Sequence, residues 1–127
     1  MEKLQKQFSF TGRLKSFSHA FRGLFLLIRS EHNFRIHLLA SLAVVVMGWL
    51  CKFGMMEWAL ITFSMGFVLS AEIFNSSVEY LTDLYSPQHS YEAGRIKDIS
   101  AAGVLISSLT AVIVGILLFL PKIISHF

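Results

Sequence analysis

Charge is what this sequence has least of. Only 15% of its 127 residues are Asp, Glu, Lys or Arg, 54% are hydrophobic, and the mean hydropathy is +0.62. That balance is too apolar for an ordinary water-soluble domain of this length. Cysteine is nearly absent too: Cys51 alone excludes an intrachain disulfide and a multi-thiolate metal site. A GxxxxGK[ST] phosphate loop, an HRD catalytic loop and a DFG triplet are all missing, which excludes the familiar nucleotide-handling loops. No apolar h-region lies near the N-terminus, so a cleavable signal peptide is not expected. Internal repeats and low-complexity segments are absent as well. Three apolar stretches take up roughly half the residues, leaving no room for a separate nucleotide-binding or zinc domain. Any chemistry has to be built from those stretches and their short flanks.

Residues 36–51 contain no Asp, Glu, Lys or Arg, residues 58–78 contain only Glu72, and residues 99–121 contain none. At about 1.5 Å per helical residue these runs approach or exceed the roughly 30 Å hydrocarbon core of a bilayer. The expectation is a single all-α integral-membrane domain over residues 1–127, with three transmembrane helices at about 35–52, 58–79 and 99–120. Orientation follows from the basic residues. Lys3, Lys6, Arg13, Lys15, Arg22, Arg29 and Arg35 crowd the first 35 residues against Glu2 and Glu31, and Arg95 and Lys97 join them across the 79–98 loop. Lys52 and Lys122 are left for the other side, so the positive-inside rule puts the N-terminus and the 79–98 loop in the cytoplasm. Trp49 and Trp58 then flank the outer turn, and Tyr80, Tyr85 and Tyr91 gather at the inner boundary.

Ahead of the first span, Phe10, Leu14, Phe17, Phe21, Leu24, Phe25 and Ile28 recur every three or four residues with basic residues between them. This predicts an amphipathic helix over about 10–30 lying on the lipid surface. Its positive charge suits anionic headgroups better than nucleic acid, because the arm runs directly into a span. In the third span Gly103, Ser107, Ala111 and Gly115 fall four apart, a small-residue stripe that lets helices pack closely.

The informative segment is AEIFNSSVEYLTD. Its Glu72, Asn75, Glu79 and Asp83 are offset by 3, 7 and 11 residues, which brings all four to one side of a helix. Measured from Trp58, Glu72 lies about 21 Å into the membrane and Glu79 about 10 Å further, near the cytoplasmic surface. A carboxyl at the depth of Glu72 is expensive enough to imply a task. Glu31 and the Lys97–Asp98 pair lie on the same side. Glu31 and Glu79 suit a hard cation such as Mg²⁺ that also binds phosphate, and Lys97 suits the phosphate itself. The poorly solvated Glu72 suits a general base acting on a hydroxyl within the bilayer. Together they point to phosphoryl transfer from a soluble donor to a lipid alcohol. The alternative from another class is a proton or ion transporter, with Glu72, Asn75 and Glu79 as a relay; the uncharged stretch 58–71 weakens it. A passive lipid-binding adaptor leaves Glu72 without a reason.

From Ala71 to Ile106 the chain resembles the signature of the small prokaryotic diacylglycerol kinases: ExxNxxxE, a short loop, KD and a small-residue run. The likeness continues upstream through FSHAFRGL and RSEHNFRIH, and covers about residues 10–122. The resemblance implies a homotrimer in the bacterial inner membrane, with active sites between protomers. It further implies a kinase that uses ATP and Mg²⁺ to phosphorylate a lipid hydroxyl at the cytoplasmic face. By the same motifs Glu72 matches the catalytic base, and Glu31 and Glu79 the metal-linked, nucleotide-facing carboxylates. Lys97 and Asp98 match the nucleotide-contacting pair, Asn75 the supporting amide, Phe34 and Arg35 the lipid-side segment, and His19 a ring at the nucleotide. The loop ahead of KD, which contacts ATP in relatives through a Glu-Tyr-His run, has Gln88, His89 and Ser90 here. RSEHNFRIH and LFLPK look more like the undecaprenol kinase branch, making that polyprenol the favoured acceptor over diacylglycerol.

Overall fold

The computed structural model describes residues 9–125 as four helices: α1 (Phe10–Ser30), α2 (His32–Leu50), α3 (Met55–Tyr85) and α4 (Tyr91–Ile124). Lys3 and Lys6 of the basic arm lie outside the described residues. The chain divides into two compact units, the first ending at Glu31 and the second beginning at His32. In the first, α1 starts at an N-cap, Ser9, whose hydroxyl accepts the Gly12 N–H at 3.3 Å. Arg29 in the last turn suits the helix dipole and lies 4.3 Å from the Phe25 ring centroid. The helix ends at Glu31, whose extended backbone still donates to Leu27 O at 2.8 Å. Phe10, Leu14, Phe17, Phe21, Leu24, Phe25 and Ile28 are all exposed.

The second unit holds three helices long and apolar enough to cross a membrane, α2, α3 and α4. At 19, 31 and 34 residues they measure about 29, 46 and 51 Å. α3 and α4 overrun the predicted spans at both ends because a hydropathy run stops at the first charge, whereas a helix continues until its caps. Gly54 opens α3, its N–H donating to the Glu57 carboxylate at 2.7 Å. Ser86 closes it by donating its N–H to Thr82 O at 2.8 Å, and Pro87 follows. Ser90 then caps α4, its hydroxyl accepting the Ala93 N–H at 3.1 Å.

α2 stops before its predicted end through a Schellman turn. Phe53 N–H reaches Gly48 O at 3.0 Å, Lys52 N–H reaches Trp49 O at 3.1 Å, and Lys52 takes the left-handed φ of 53° that the motif requires. Its hydrophobic contact is the Phe53 ring lying on Gly48. A Cβ at position 48 would sit 3.0 Å from Phe53 and 3.1 Å from Trp58, so any larger residue requires those rings to give way by a few tenths of an ångström. Phe53, Ile61 and Phe119 form the core at this end, with Phe53 and Phe119 centroids 4.7 Å apart and Trp58 edge-on to Phe53 at 5.7 Å.

Lys122 fastens the same end. Its ammonium lies 2.8 Å from the Glu57 carboxylate, donates to Lys52 O at 3.3 Å and sits 5.5 Å from the Phe53 ring centroid. At the opposite end Lys97 pairs with Asp83. Asp83 and Lys97 lie seven residues either side of Ser90, and Glu57 and Lys122 about thirty-two, which is the register of an antiparallel pair folded at the 86–90 turn.

Candidate active site

On α3 the side chains buried at the predicted polar stripe are Glu72, 2% exposed, and Asn75, 6% exposed, with Ser76 and Thr82 beside them. Glu79, one turn beyond Asn75, is half-buried, and Asp83, another turn on, is exposed. A 100° step per residue puts 72, 75, 79 and 83 on one face, and the burial declines along that face toward the 86–90 turn. The hydroxyls nearby are turned into their own helix: Thr82 Oγ1 donates to Val78 O at 2.7 Å, Ser77 Oγ to Ile73 O at 2.9 Å and Ser64 Oγ to Leu60 O at 3.0 Å. They satisfy themselves locally and leave the carboxylates and the amide to face outward from the backbone.

Asn75 Nδ2 donates to Glu79 Oε1 at 2.9 Å. This fixes one oxygen of Glu79 and turns Asn75 Oδ1 the other way, where it is buried without a hydrogen-bond partner. A buried amide oxygen with no donor is costly, and such an atom in a folded protein calls for an explanation in terms of a ligand, ion or water. The free lone pairs of Glu79 and Asn75 Oδ1 are hard oxygen donors of the kind Mg²⁺ takes. Among the described residues no three His, Cys, Asp or Glu side chains gather as a metal cage. A donor set of one or two carboxylates suits Mg²⁺, which keeps waters and shares its remaining positions with substrate phosphate.

Lys97, in the second turn of α4, contacts Asp83 Oδ1 across the turn at 2.5 Å. Lys97 and Asp98 are neighbours on α4; Lys97 pairs with Asp83, and Asp98 is exposed. Asp83 is the residue of the stripe to which the sequence alone assigns no role. The signal for it lies in the antiparallel register, since two residues equidistant from a helix-connecting turn face each other. Gln88 and His89 are exposed in the turn, with His89 at a left-handed φ of 42°, while the Ser90 hydroxyl is engaged as the α4 cap. Phe34 is buried in α2, and Arg35 is exposed with its Nη2 3.5 Å from His32 Nδ1. His19 and Glu31 belong to the first unit. His19 is exposed on α1, and half-buried Glu31 accepts from Ser30 Oγ at 3.4 Å.

A buried carboxyl, an amide-braced carboxylate and an ion-paired lysine lie along the α3–α4 hairpin, groups chemically able to accept a proton and to bind phosphate. Comparison with known proteins bears on that chemistry. Residues 18–119 match the sequence model of the prokaryotic diacylglycerol kinases. The undecaprenol kinase of Bacillus subtilis (strain 168) is 37% identical over 109 residues, 86% of this chain and 89% of that protein. The diacylglycerol kinase of Escherichia coli (strain K12) is 34% identical over 105 residues, 82% of this chain and 85% of that protein. That of Synechocystis sp. is 33% identical over 113 residues, 88% of this chain and 65% of that protein.

Proposed function

The chain belongs to the prokaryotic diacylglycerol kinase family, and from that premise we propose that it is a membrane lipid kinase that transfers the γ-phosphoryl group of ATP to a lipid hydroxyl at the cytoplasmic face. The observation that carries this reading is the buried Glu72 on the same helical face as the Asn75–Glu79 pair. Glu72 takes the proton of the lipid hydroxyl as the hydroxyl oxygen bonds to the γ-phosphorus and the bond to the β–γ bridging oxygen breaks, releasing ADP. Glu79, braced by Asn75 Nδ2, and Glu31 hold Mg²⁺, which when bound neutralises charge on the donor's phosphates. Lys97 and Asp98, with His19 and the 88–90 turn, face the nucleotide, and Phe34 and Arg35 face the lipid.

Undecaprenol is the favoured acceptor. The higher identity to an undecaprenol kinase, 37% against 33–34% for the diacylglycerol kinases, supports this. α1, with its apolar row exposed and basic residues between, lies on the cytoplasmic membrane surface as an amphipathic anchor. The enzyme works as a homotrimer with sites shared between protomers, an arrangement by which so small a chain completes a two-substrate site. The proton-relay alternative gains no support from the comparisons, whose relatives are kinases. Purified protein in mixed micelles with γ-labelled ATP and Mg²⁺, offered undecaprenol and diacylglycerol separately, tests the acceptor. Higher kcat/KM on undecaprenol is expected, and preference for diacylglycerol would reverse the assignment.

A further inference from the structure

Lys97 reaches Asp83 across the 86–90 turn, and Asp83 stands one helical turn beyond Glu79 on the face that carries Glu72 and Asn75. An unpaired lysine on a helix near water samples many rotamers, and a phosphate contact made by it would have to order that chain at the moment of reaction. Asp83 removes much of this freedom in advance. The pair is partly exposed, with the Lys97 side chain at 29% and Asp83 at 54%, so water and solute reach it. An ammonium has three N–H donors, and Asp83 Oδ1 takes one of them. The remaining two are available to a phosphate oxygen without breaking the pair. The charged groups on the preceding turn of α4, Arg95 and Glu92, pair with each other at 3.6 Å and leave Lys97 to Asp83.

We propose that Asp83 is a positioning residue for phosphoryl transfer: it holds the Lys97 ammonium at the inner end of the α3–α4 hairpin, oriented for the nucleotide's phosphates before ATP arrives. The inference rests on the lipid-kinase reading. Asp83 touches neither substrate and acts through Lys97. Its carboxylate also repels the incoming phosphates, so its two effects oppose each other in binding and reinforce catalysis only through geometry. Loss of Asp83 therefore lowers kcat while leaving the KM for ATP unchanged or reduced. A smaller folded fraction also lowers apparent kcat at constant KM, so the deciding readout is whether the loss depends on Lys97, as a loss from a folding defect does not.

The test uses the full-length protein in mixed micelles, with initial rates at varied ATP for wild type, Asp83→Asn, Asp83→Glu, Lys97→Gln and the Asp83→Asn/Lys97→Gln double variant. Asp83→Asn is expected to lower kcat about tenfold or more without raising the KM for ATP, as when a group acting only in the transition state is misplaced. Asp83→Glu recovers much of the loss. In the Lys97→Gln background the same change costs less than about twofold, because the partner is already gone. An unchanged kcat in Asp83→Asn, or an equal loss with and without Lys97, overturns the proposal. If Lys97→Gln leaves no measurable rate, the methyl NMR signal of reductively methylated Lys97 replaces the cycle. Asp83→Asn must move that signal to the position of solvent-exposed lysines, and an unmoved signal overturns the pairing role. A wild-type protein that phosphorylates neither lipid refutes the kinase reading itself, a different outcome from any of these.

Discussion

Replacing Gly48 by alanine separates the packing of the closed end of the second unit from ordinary helix propensity. The new methyl would meet Phe53 Cδ2 at 3.0 Å, the Trp58 ring at 3.1 Å and Phe53 Cε2 at 3.3 Å. Carbon atoms in good contact lie about 3.5–4.0 Å apart, so the rings must retreat by roughly half an ångström. Phe53 has no easy retreat, being stacked on Phe119 with the Lys122 ammonium beside its ring. Overpacking of this kind costs about 1–3 kcal/mol, against which alanine regains about 1 kcal/mol over glycine in a helix. The net destabilisation is about 0–2 kcal/mol. Gly66 in α3, where an added methyl would meet nothing within 4 Å, is the matched control and should gain about 1 kcal/mol on the same change. Denaturation of both variants in mixed micelles should separate them by about 1–3 kcal/mol, with Gly48→Ala the less stable. Equal stabilities would refute the contact and with it the Schellman closure as described.

Lys52→Gly should stabilise the same fold by about 0.5–1 kcal/mol in that denaturation assay, because glycine takes the left-handed φ without the cost an L side chain bears, and the backbone carbonyl at position 52 that receives Lys122 is kept. Glu79→Gln and Glu31→Gln, titrated separately with Mg²⁺ at saturating ATP, should each raise the half-saturating Mg²⁺ by about tenfold or more, since a neutral amide binds the ion poorly; an unchanged requirement removes that residue from the metal site.

The number of helices long and apolar enough to cross a membrane is legible in the sequence because nothing but a helix or a closed barrel crosses hydrocarbon with its backbone satisfied, and nearly charge-free runs of sufficient length report such helices directly. The polar face of α3 is legible for a related reason: a carboxyl such as Glu72 stands out where everything around it is apolar, and its spacing to Asn75 and Glu79 is set by one helix. The Asn75–Glu79 hydrogen bond follows from an offset of four. Helix ends are less legible, since Gly54, Ser86 and Ser90 act through backbone and cap geometry that hydropathy does not weigh. The partner of Lys97 is hidden because it depends on tertiary register. Only the alignment of α3 against α4 brings Asp83 to Lys97. Gly48 likewise reads as one more small residue in a span until the turn lays Phe53 on it.

The central claim is that buried Glu72 acts as the base that activates a lipid hydroxyl, and transfer of label from γ-labelled ATP in mixed micelles with undecaprenol tests it most directly. Wild type should yield labelled undecaprenyl phosphate, and Glu72→Gln, close in size and folded to the same assembly, should lower the rate by about 100-fold or more, the scale of a lost general base. Transfer by Glu72→Gln at the wild-type rate, or no labelled lipid from wild type with either undecaprenol or diacylglycerol, would contradict it.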